Sequence, residues 1–133
     1  MSAAADTLKK VPLFAGLDNK ELERIASVMN ERRFSAGDTL TEQGTSGVGF
    51  FVIEDGTGEV TVDGAARRTV GPGDYFGEIA LLSDSDDRTR TATITATTDM
   101  LTYGMTVWEF KPLVESNSEL AWKLLTAMAA KLA

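Results

Sequence analysis

Residues Phe76 to Ile94 read F-G-E-I-A-L-L-S-D-S-D-D-R-T-R-T-A-T-I, and this segment contains the components of an anion-binding site. Gly77 leads into a short apolar turn over residues 79–82, whose first backbone N–H groups would converge on one point. Such unpaired N–H groups and the helix dipole favour negative charge. The guanidinium of Arg90 offers a forked pair of donors that matches phosphate oxygens. The segment therefore predicts a site for a phosphate group.

Glu78 is an unexpected residue beside a phosphate, because a carboxylate repels an anion. Its presence is explained if the ligand also carries hydroxyl donors, as a ribose does. The ligand predicted from these residues is a phosphate joined to a sugar.

The same segment resembles the phosphate-binding cassette of the cyclic nucleotide-binding domain family. This family includes catabolite-activator-type transcription factors, kinase regulatory subunits and cyclic-nucleotide-gated channels. Its pattern, F-G-E-[IL]-A-L-L followed by a loop and R-[TSA]-A-[TS]-[VI], matches residues 76–82 and 90–94. The resemblance implies that the ligand is cAMP or cGMP, with cAMP preferred, and that no metal or further cofactor is needed.

The resemblance also implies roles for individual residues. Glu78 would bind the ribose 2′-hydroxyl and Arg90 the exocyclic phosphate oxygens, while Thr91 would lie at the edge of the base and phosphate. The backbone amides of Ala80 and Ala92 would add donors. The full set of predicted ligand-binding residues is Phe76, Gly77, Glu78, Ile79, Ala80, Leu81, Arg90, Thr91 and Ala92.

The loop from Ser83 to Thr89 is longer than in the kinase-type cassettes and contains three aspartates. We favour a solvated loop tip, since loops of this kind run over the surface and their charges are screened. The alternative is that the carboxylates point inward and weaken anion binding. Arg88, in the same loop, competes with Arg90 for the phosphate position.

Composition restricts the classes of function. The chain has 133 residues, which suits a single domain of 1–133, and it contains neither cysteine nor histidine. A formal charge of −7 argues against a nucleic-acid surface, which needs a basic patch. No segment has the length of apolar sequence that a signal peptide or membrane span requires. We therefore expect a soluble cytoplasmic protein that binds neither nucleic acid nor membrane.

The order of patterns along the chain predicts the fold class. Residues 1–33 read as a helical lead-in, with Asp18 and Glu21 forming a capping box. Residues 34–105 consist of short apolar runs separated by glycine turns, which predict a β-roll of the jelly-roll or double-stranded β-helix type. The fold class is thus mainly β with flanking helices. Cupin enzymes share this architecture, but their metal sites are usually built on histidine.

Residues 106–133 are predicted to form the C-terminal helices, beginning with a second capping box at Thr106 and Glu109. The final helix, predicted from Ser118, has a broad apolar surface that suits packing within the chain and contact with an effector protein or a second copy. Trp122 is either a lid over the base or, as we favour, a core aromatic. Activator-type relatives place base contacts beyond Leu132, so the sequence is expected to be a stand-alone domain or a fragment of a longer regulator.

Three functions compete. The favoured one is a cyclic nucleotide sensor that transmits its ligand state through the flanking helices. The second is a degenerate member of the family that mediates protein contacts and binds no nucleotide. An enzyme is not predicted, because the sequence pairs no nucleophile with a base, and no catalytic residue is assigned.

Overall fold

The computed structural model describes residues 2–45, 49–77 and 90–132. Its N-terminal part contains α1 (Ala3–Leu8), a 3₁₀ turn (Pro12–Phe14) and α2 (Asn19–Ala26). The strands that follow are β1 (Asn30–Phe34), β2 (Thr39–Thr41), β3 (Gly49–Asp55), β4 (Gly58–Val62), β5 (Ala65–Val70), β6 (Tyr75–Phe76), β7 (Thr93–Ala96) and β8 (Met100–Thr106). Two helices come after them, α3 (Val107–Glu115) and α4 (Ser118–Leu132). None of the described helices is long and apolar enough to cross a membrane.

The strands form two four-stranded sheets with the orders β1-β8-β3-β6 and β2-β7-β4-β5. Every described strand pair is antiparallel. Sequence neighbours such as β1 and β2 lie in different sheets, so the chain crosses between the two layers as it does in a jelly roll. The predicted fold class, a β-roll with flanking helices, is confirmed.

Strand β3 separates two hydrophobic cores because successive side chains point to opposite faces of a sheet. Phe50 and Val52 face the helices, where they join a cluster that includes Phe14, Phe110 and Leu120. Ile53 faces the inside of the roll and joins a second cluster. The helices are therefore packed on the outer face of one sheet, and the interior of the roll remains a separate compartment.

Both predicted capping boxes are confirmed. At the start of α2, Glu21 N donates to Asp18 Oδ1 at 2.8 Å and Asp18 N donates to Glu21 Oε1 at 3.0 Å. At the start of α3, Thr106 N donates to Glu109 Oε1 at 2.9 Å and Glu109 N donates to Thr106 Oγ1 at 3.4 Å. These bonds satisfy backbone donors that the first helical turn leaves without partners.

The predicted extent of the N-terminal helical segment is wrong at its end. We expected helical sequence up to Arg33, whereas α2 ends at Ala26 and β1 begins at Asn30. Strand β1 has the sequence N-E-R-R-F, with a single apolar residue, so it lacks the alternation that marks a strand. Its conformation comes from pairing with β8, because tertiary context overrides local preference in edge strands.

Candidate functional site

A cavity of about 490 Å³ opens at the roll. Its lining comes from β1, β2, β3, β8, the first turn of α3 and the segments that follow β2 and precede β7. It includes Arg32, Thr41, Glu42, Phe51, Arg90 and Glu109. Small-molecule sites typically measure about 300–1,000 Å³. The cavity is thus large enough for a mononucleotide.

Gly104 makes room for the ring of Phe51 in the wall of the cavity. A Cβ atom on Gly104 would lie 2.9 Å from two atoms of the Phe51 ring, which is closer than real Cβ atoms approach. The opposite side of the ring system is supported by Phe76, whose ring stacks on Phe51 with 5.2 Å between centroids. Phe51 is therefore held in one position, and it gives the cavity a rigid apolar surface.

Arg90 is fixed at one end of the cavity by its backbone and its side chain. Its N–H donates to Thr45 O at 2.8 Å, and its carbonyl accepts from Gly44 N at 2.9 Å. Its Nη2 donates to Gly49 O at 2.7 Å. The guanidinium is half-buried, and this burial lowers the pKa of Arg90 below its ordinary value. An arginine nevertheless stays protonated in proteins.

Within the described parts of the chain, no carboxylate forms an ion pair with Arg90. A charge removed from water without a partner is unfavourable. An anionic ligand at this position would offset that cost. Arg90 therefore gives this end of the cavity the chemistry of an anion site.

Gly77 brings the start of the predicted cassette against Arg90. Its φ of 85° lies in the left-handed region that side chains disfavour. A Cβ atom at Gly77 would also lie 2.7 Å from Arg90 Nη1 and still closer to Gly49 O. Only glycine permits this approach, so the positions of Gly77 and Arg90 depend on each other.

The structure places five of the predicted ligand-binding residues. Arg90 lines the cavity and Gly77 lies against its guanidinium, while Phe76 stacks on Phe51. Ala92 is half-buried and Thr91 is exposed to solvent. The other predicted residues, together with the competing arginine of the loop, lie outside the described residues; they are Glu78, Ile79, Ala80, Leu81 and Arg88. The choice between the two arginines therefore stays a prediction.

Of the described lining residues, only Arg90 was among the predicted ligand-binding residues; Arg32 and Phe51 are two of those that were not predicted. Arg32 fell in the segment that was interpreted as helical. Phe51 was read only as part of an apolar strand, although the alternation of β3 puts it on the face opposite Phe50. Alternation combined with a β1 strand would have placed both side chains on the strand faces that line the cavity.

The interpretation of Trp122 as a core aromatic is wrong, since the residue is 66% exposed. Leu120 and Leu124 form the buried face of α4, and Trp122 lies between them in sequence and hence on the other side of the helix. Trp122 does not line the cavity either. The helix therefore presents an aromatic residue to solvent.

The sequence that forms this site matches the model of one protein family. The model of the cyclic nucleotide-binding domain matches residues 31–117, which is more than half of the chain. The chain belongs to the cyclic nucleotide-binding domain family. Apart from Asn30, the matched range includes both sheets and the described lining of the cavity, with Arg90. The family resemblance inferred from the cassette residues is confirmed.

Relatives within this family include kinase subunits and a transcription regulator. A cAMP-dependent protein kinase regulatory subunit of Emericella nidulans is 35% identical over 95 residues, which are 70% of this chain and 22% of that protein. The N-terminal domain of a transcriptional regulator from Streptomyces coelicolor has a TM-score of 0.87 and 30% identity, covering 96% of this chain and 90% of that one. The regulatory domain of Toxoplasma gondii PKA with cAMP has a TM-score of 0.72 and 29% identity, covering 84% and 43%. The chain spans about a fifth of the length of the curated relatives it matches.

Proposed function

We propose that this domain binds a cyclic nucleotide, cAMP in preference to cGMP, and reports its presence through the flanking helices. The observation that carries this proposal is the half-buried guanidinium of Arg90, which lies at one end of a nucleotide-sized cavity beside the start of the cassette. A cyclic phosphate carries one negative charge and acceptor oxygens, which such a guanidinium binds as a fork. The site residues predicted from the cassette, including Glu78, form part of this proposal.

The preference for cAMP is supported by the relatives rather than by the cavity. These curated relatives are regulatory subunits of cAMP-dependent kinases, and two of the similar solved structures contain cAMP. Thr91 is exposed and does not line the cavity, so its position does not favour one base over the other. The proposal for this chain is therefore cAMP first and cGMP second.

Glu109 connects the cavity to the helices that would transmit the signal. This residue lines the cavity and also caps α3, where its Oε1 accepts a hydrogen bond from Thr106 N at 2.9 Å. Its Oε2 accepts a bond from Asn30 Nδ2 at 3.2 Å. A ligand that displaces either partner changes the first turn of α3. Because α4 follows α3 after two residues, the change would reach the C-terminal helix.

We expect cAMP and cGMP to stabilise the domain against heat, whereas 5′-AMP does not. A ligand at a hundred times its dissociation constant adds about 2.7 kcal/mol to the free energy of unfolding. In a domain of this size the thermal midpoint rises by several degrees. Differential scanning fluorimetry measures the shift, and isothermal titration calorimetry should give one site per chain.

A midpoint unchanged by either cyclic nucleotide at millimolar concentration would contradict the proposed function. It would support the alternative of a degenerate domain that serves only as a protein-interaction module. A shift of equal size with 5′-AMP would point to a site for nucleoside monophosphates in general.

The exposed face of α4 is the proposed contact for a partner. Trp122 and Leu125 are 66% and 60% exposed, and they lie one turn apart on the same side of the helix. Their partner would be an effector protein or a second copy of the chain. We also propose that the domain acts in the cytoplasm as one regulatory unit over residues 1–133 and catalyses no reaction itself. The proposal covers both a domain that acts alone and one that acts within a longer regulator.

A homodimer through α4 predicts that Leu125→Glu is monomeric under conditions where the wild type self-associates. The new charge would be buried without a partner in the dimer, which is unfavourable. Ala130→Glu is the matched control, since this exposed residue lies about 140° around the helix from Leu125. Sedimentation velocity measures both variants. If the wild type is monomeric at every concentration tested, the homodimer is excluded and an effector protein is the proposed partner of this face.

A further inference from the structure

Arg32 is a second cation of the cavity, on the strand β1. Its guanidinium carbon lies 5.4 Å from the centroid of the Phe34 ring and 5.5 Å from that of the Phe51 ring. Cation–π contacts of this length hold a guanidinium against aromatic surface. The N–H donors in the plane of the group remain available for a ligand.

Within residues 2–45, 49–77 and 90–132, no hydrogen bond or ion pair engages the side chain of Arg32. The next residue, Arg33, points to the other face of β1 and pairs with Glu31 at 2.7 Å on the exposed surface. The two neighbouring arginines thus differ in whether they line the cavity. Arg32 lines the cavity with donors that no described residue engages, and Arg33 does not line the cavity.

Phe51 lies close to both guanidinium groups of the cavity. A Cβ atom on Gly49 would be 3.0 Å from the Phe51 ring and 3.9 Å from Arg90 Nη2, so the ring and Arg90 are neighbours. Arg32 contacts the same ring. A cyclic nucleotide carries its phosphate and its base on different sides of the ribose. A ligand with its phosphate at Arg90 can therefore extend its base along Phe51 to Arg32.

We infer that Arg32 contacts the purine base and that this contact favours guanine over adenine. Guanine presents two adjacent acceptors, O6 and N7, which a guanidinium binds as a bidentate pair. Adenine presents the N7 acceptor beside the N6 amino donor, so one of the two bonds is replaced by facing donors. This inference rests on the proposed function and names the residue that sets how well cGMP competes with cAMP. Arg32 therefore raises the affinity for cGMP relative to that for cAMP. Its removal should increase the ratio of the cAMP affinity to the cGMP affinity.

The test compares Arg32→Met with Arg33→Met. Methionine keeps an unbranched apolar side chain against Phe51 and removes the donors. We expect Arg32→Met to weaken cGMP binding by about tenfold or more, while cAMP binding changes by less than about threefold. Arg33→Met should change neither affinity, because its guanidinium lies outside the cavity. Calorimetry with both nucleotides gives the ratio of the dissociation constants of variant and wild type for each of the two variants and each of the two nucleotides.

A ligand variant tests the same contact without relying on the folding of a mutant. In 7-deaza-cGMP the N7 acceptor is replaced by C–H, so the bidentate pair is lost. The wild type should bind 7-deaza-cGMP more weakly than cGMP. Arg32→Met should bind the two with equal affinity. The affinity of Arg32→Lys for cGMP should lie between those of the wild type and Arg32→Met, since an ammonium keeps the charge and lacks the forked pair of donors.

Three results would overturn the inference. Equal losses for cAMP and cGMP in Arg32→Met would show that Arg32 attracts the phosphate charge and does not read the base. Unchanged cGMP binding would show that the base does not reach it. If the wild type binds neither nucleotide, the proposed function fails as well, and this outcome is distinct from the other two.

Discussion

Arg90→Ala should abolish measurable cyclic nucleotide binding while the domain remains folded. Removing one partner of a buried charge contact costs about 2–5 kcal/mol, which corresponds to a loss of roughly thirtyfold to several thousandfold in affinity. The backbone bonds of Arg90 to residues 44 and 45 do not involve the side chain. Calorimetry with cAMP measures the loss, and the thermal midpoint without ligand checks the fold.

Arg88→Ala provides the comparison, since Arg88 is the competing arginine of the same segment and the cassette register that we assume places it in the loop. An exposed arginine contributes at most about 1 kcal/mol, so the change in affinity should stay below about tenfold. The reverse ranking would show that the assumed cassette register is displaced by two residues. Large and equal losses would mean that both guanidinium groups reach the phosphate.

Gly77→Ala is the second change with a large expected effect. A residue with a side chain in the left-handed region costs about 1–2 kcal/mol, and overpacking adds about 1–3 kcal/mol. Here the added methyl group meets both Gly49 O and the guanidinium of Arg90. We therefore expect a loss of about 2–5 kcal/mol in the free energy of unfolding, together with a loss of nucleotide affinity.

Gly64→Ala separates the two causes of this loss. Gly64 has a φ of 80°, close to the 85° of Gly77, and a Cβ atom there would meet nothing within 4 Å. Its variant should lose only the conformational part, about 1–2 kcal/mol, and bind nucleotide normally. Urea unfolding of the two variants measures the difference. If both variants lose the same stability, the contacts of the added methyl group with Gly49 O and Arg90 contribute nothing to the loss.

Local patterns made part of the fold predictable from sequence. The two capping boxes involve residues three positions apart, so the sequence contains both partners of each hydrogen bond. The cassette residues Gly77 and Arg90 were likewise recognisable, because a left-handed glycine and a forked donor are requirements of the chemistry itself. The glycine turns between short apolar runs predicted the β-roll for the same reason.

The contents of the cavity depended on contacts between distant parts of the chain. Strand β1 exists because it pairs with β8, where Thr102 Oγ1 donates to Arg32 O across 70 positions. That pairing, rather than the polar sequence of β1, places the exposed residue Arg32 at the wall of the cavity. A sequence read segment by segment interpreted these residues as the end of a helix.

Trp122 illustrates the same division. Helical spacing correctly predicted α4 and its apolar character, but it did not say which apolar residues face the domain. Packing against the 3₁₀ turn and α2 selected Leu120 and Leu124 and left Trp122 in solvent. The sequence alone determined the family, the β-roll and the capped starts of α2 and α3, since each depends on neighbouring residues. The tertiary structure decided which side chains share the cavity and which face of α4 stays exposed, because side chains are brought together or left in water only when the sheets and helices pack.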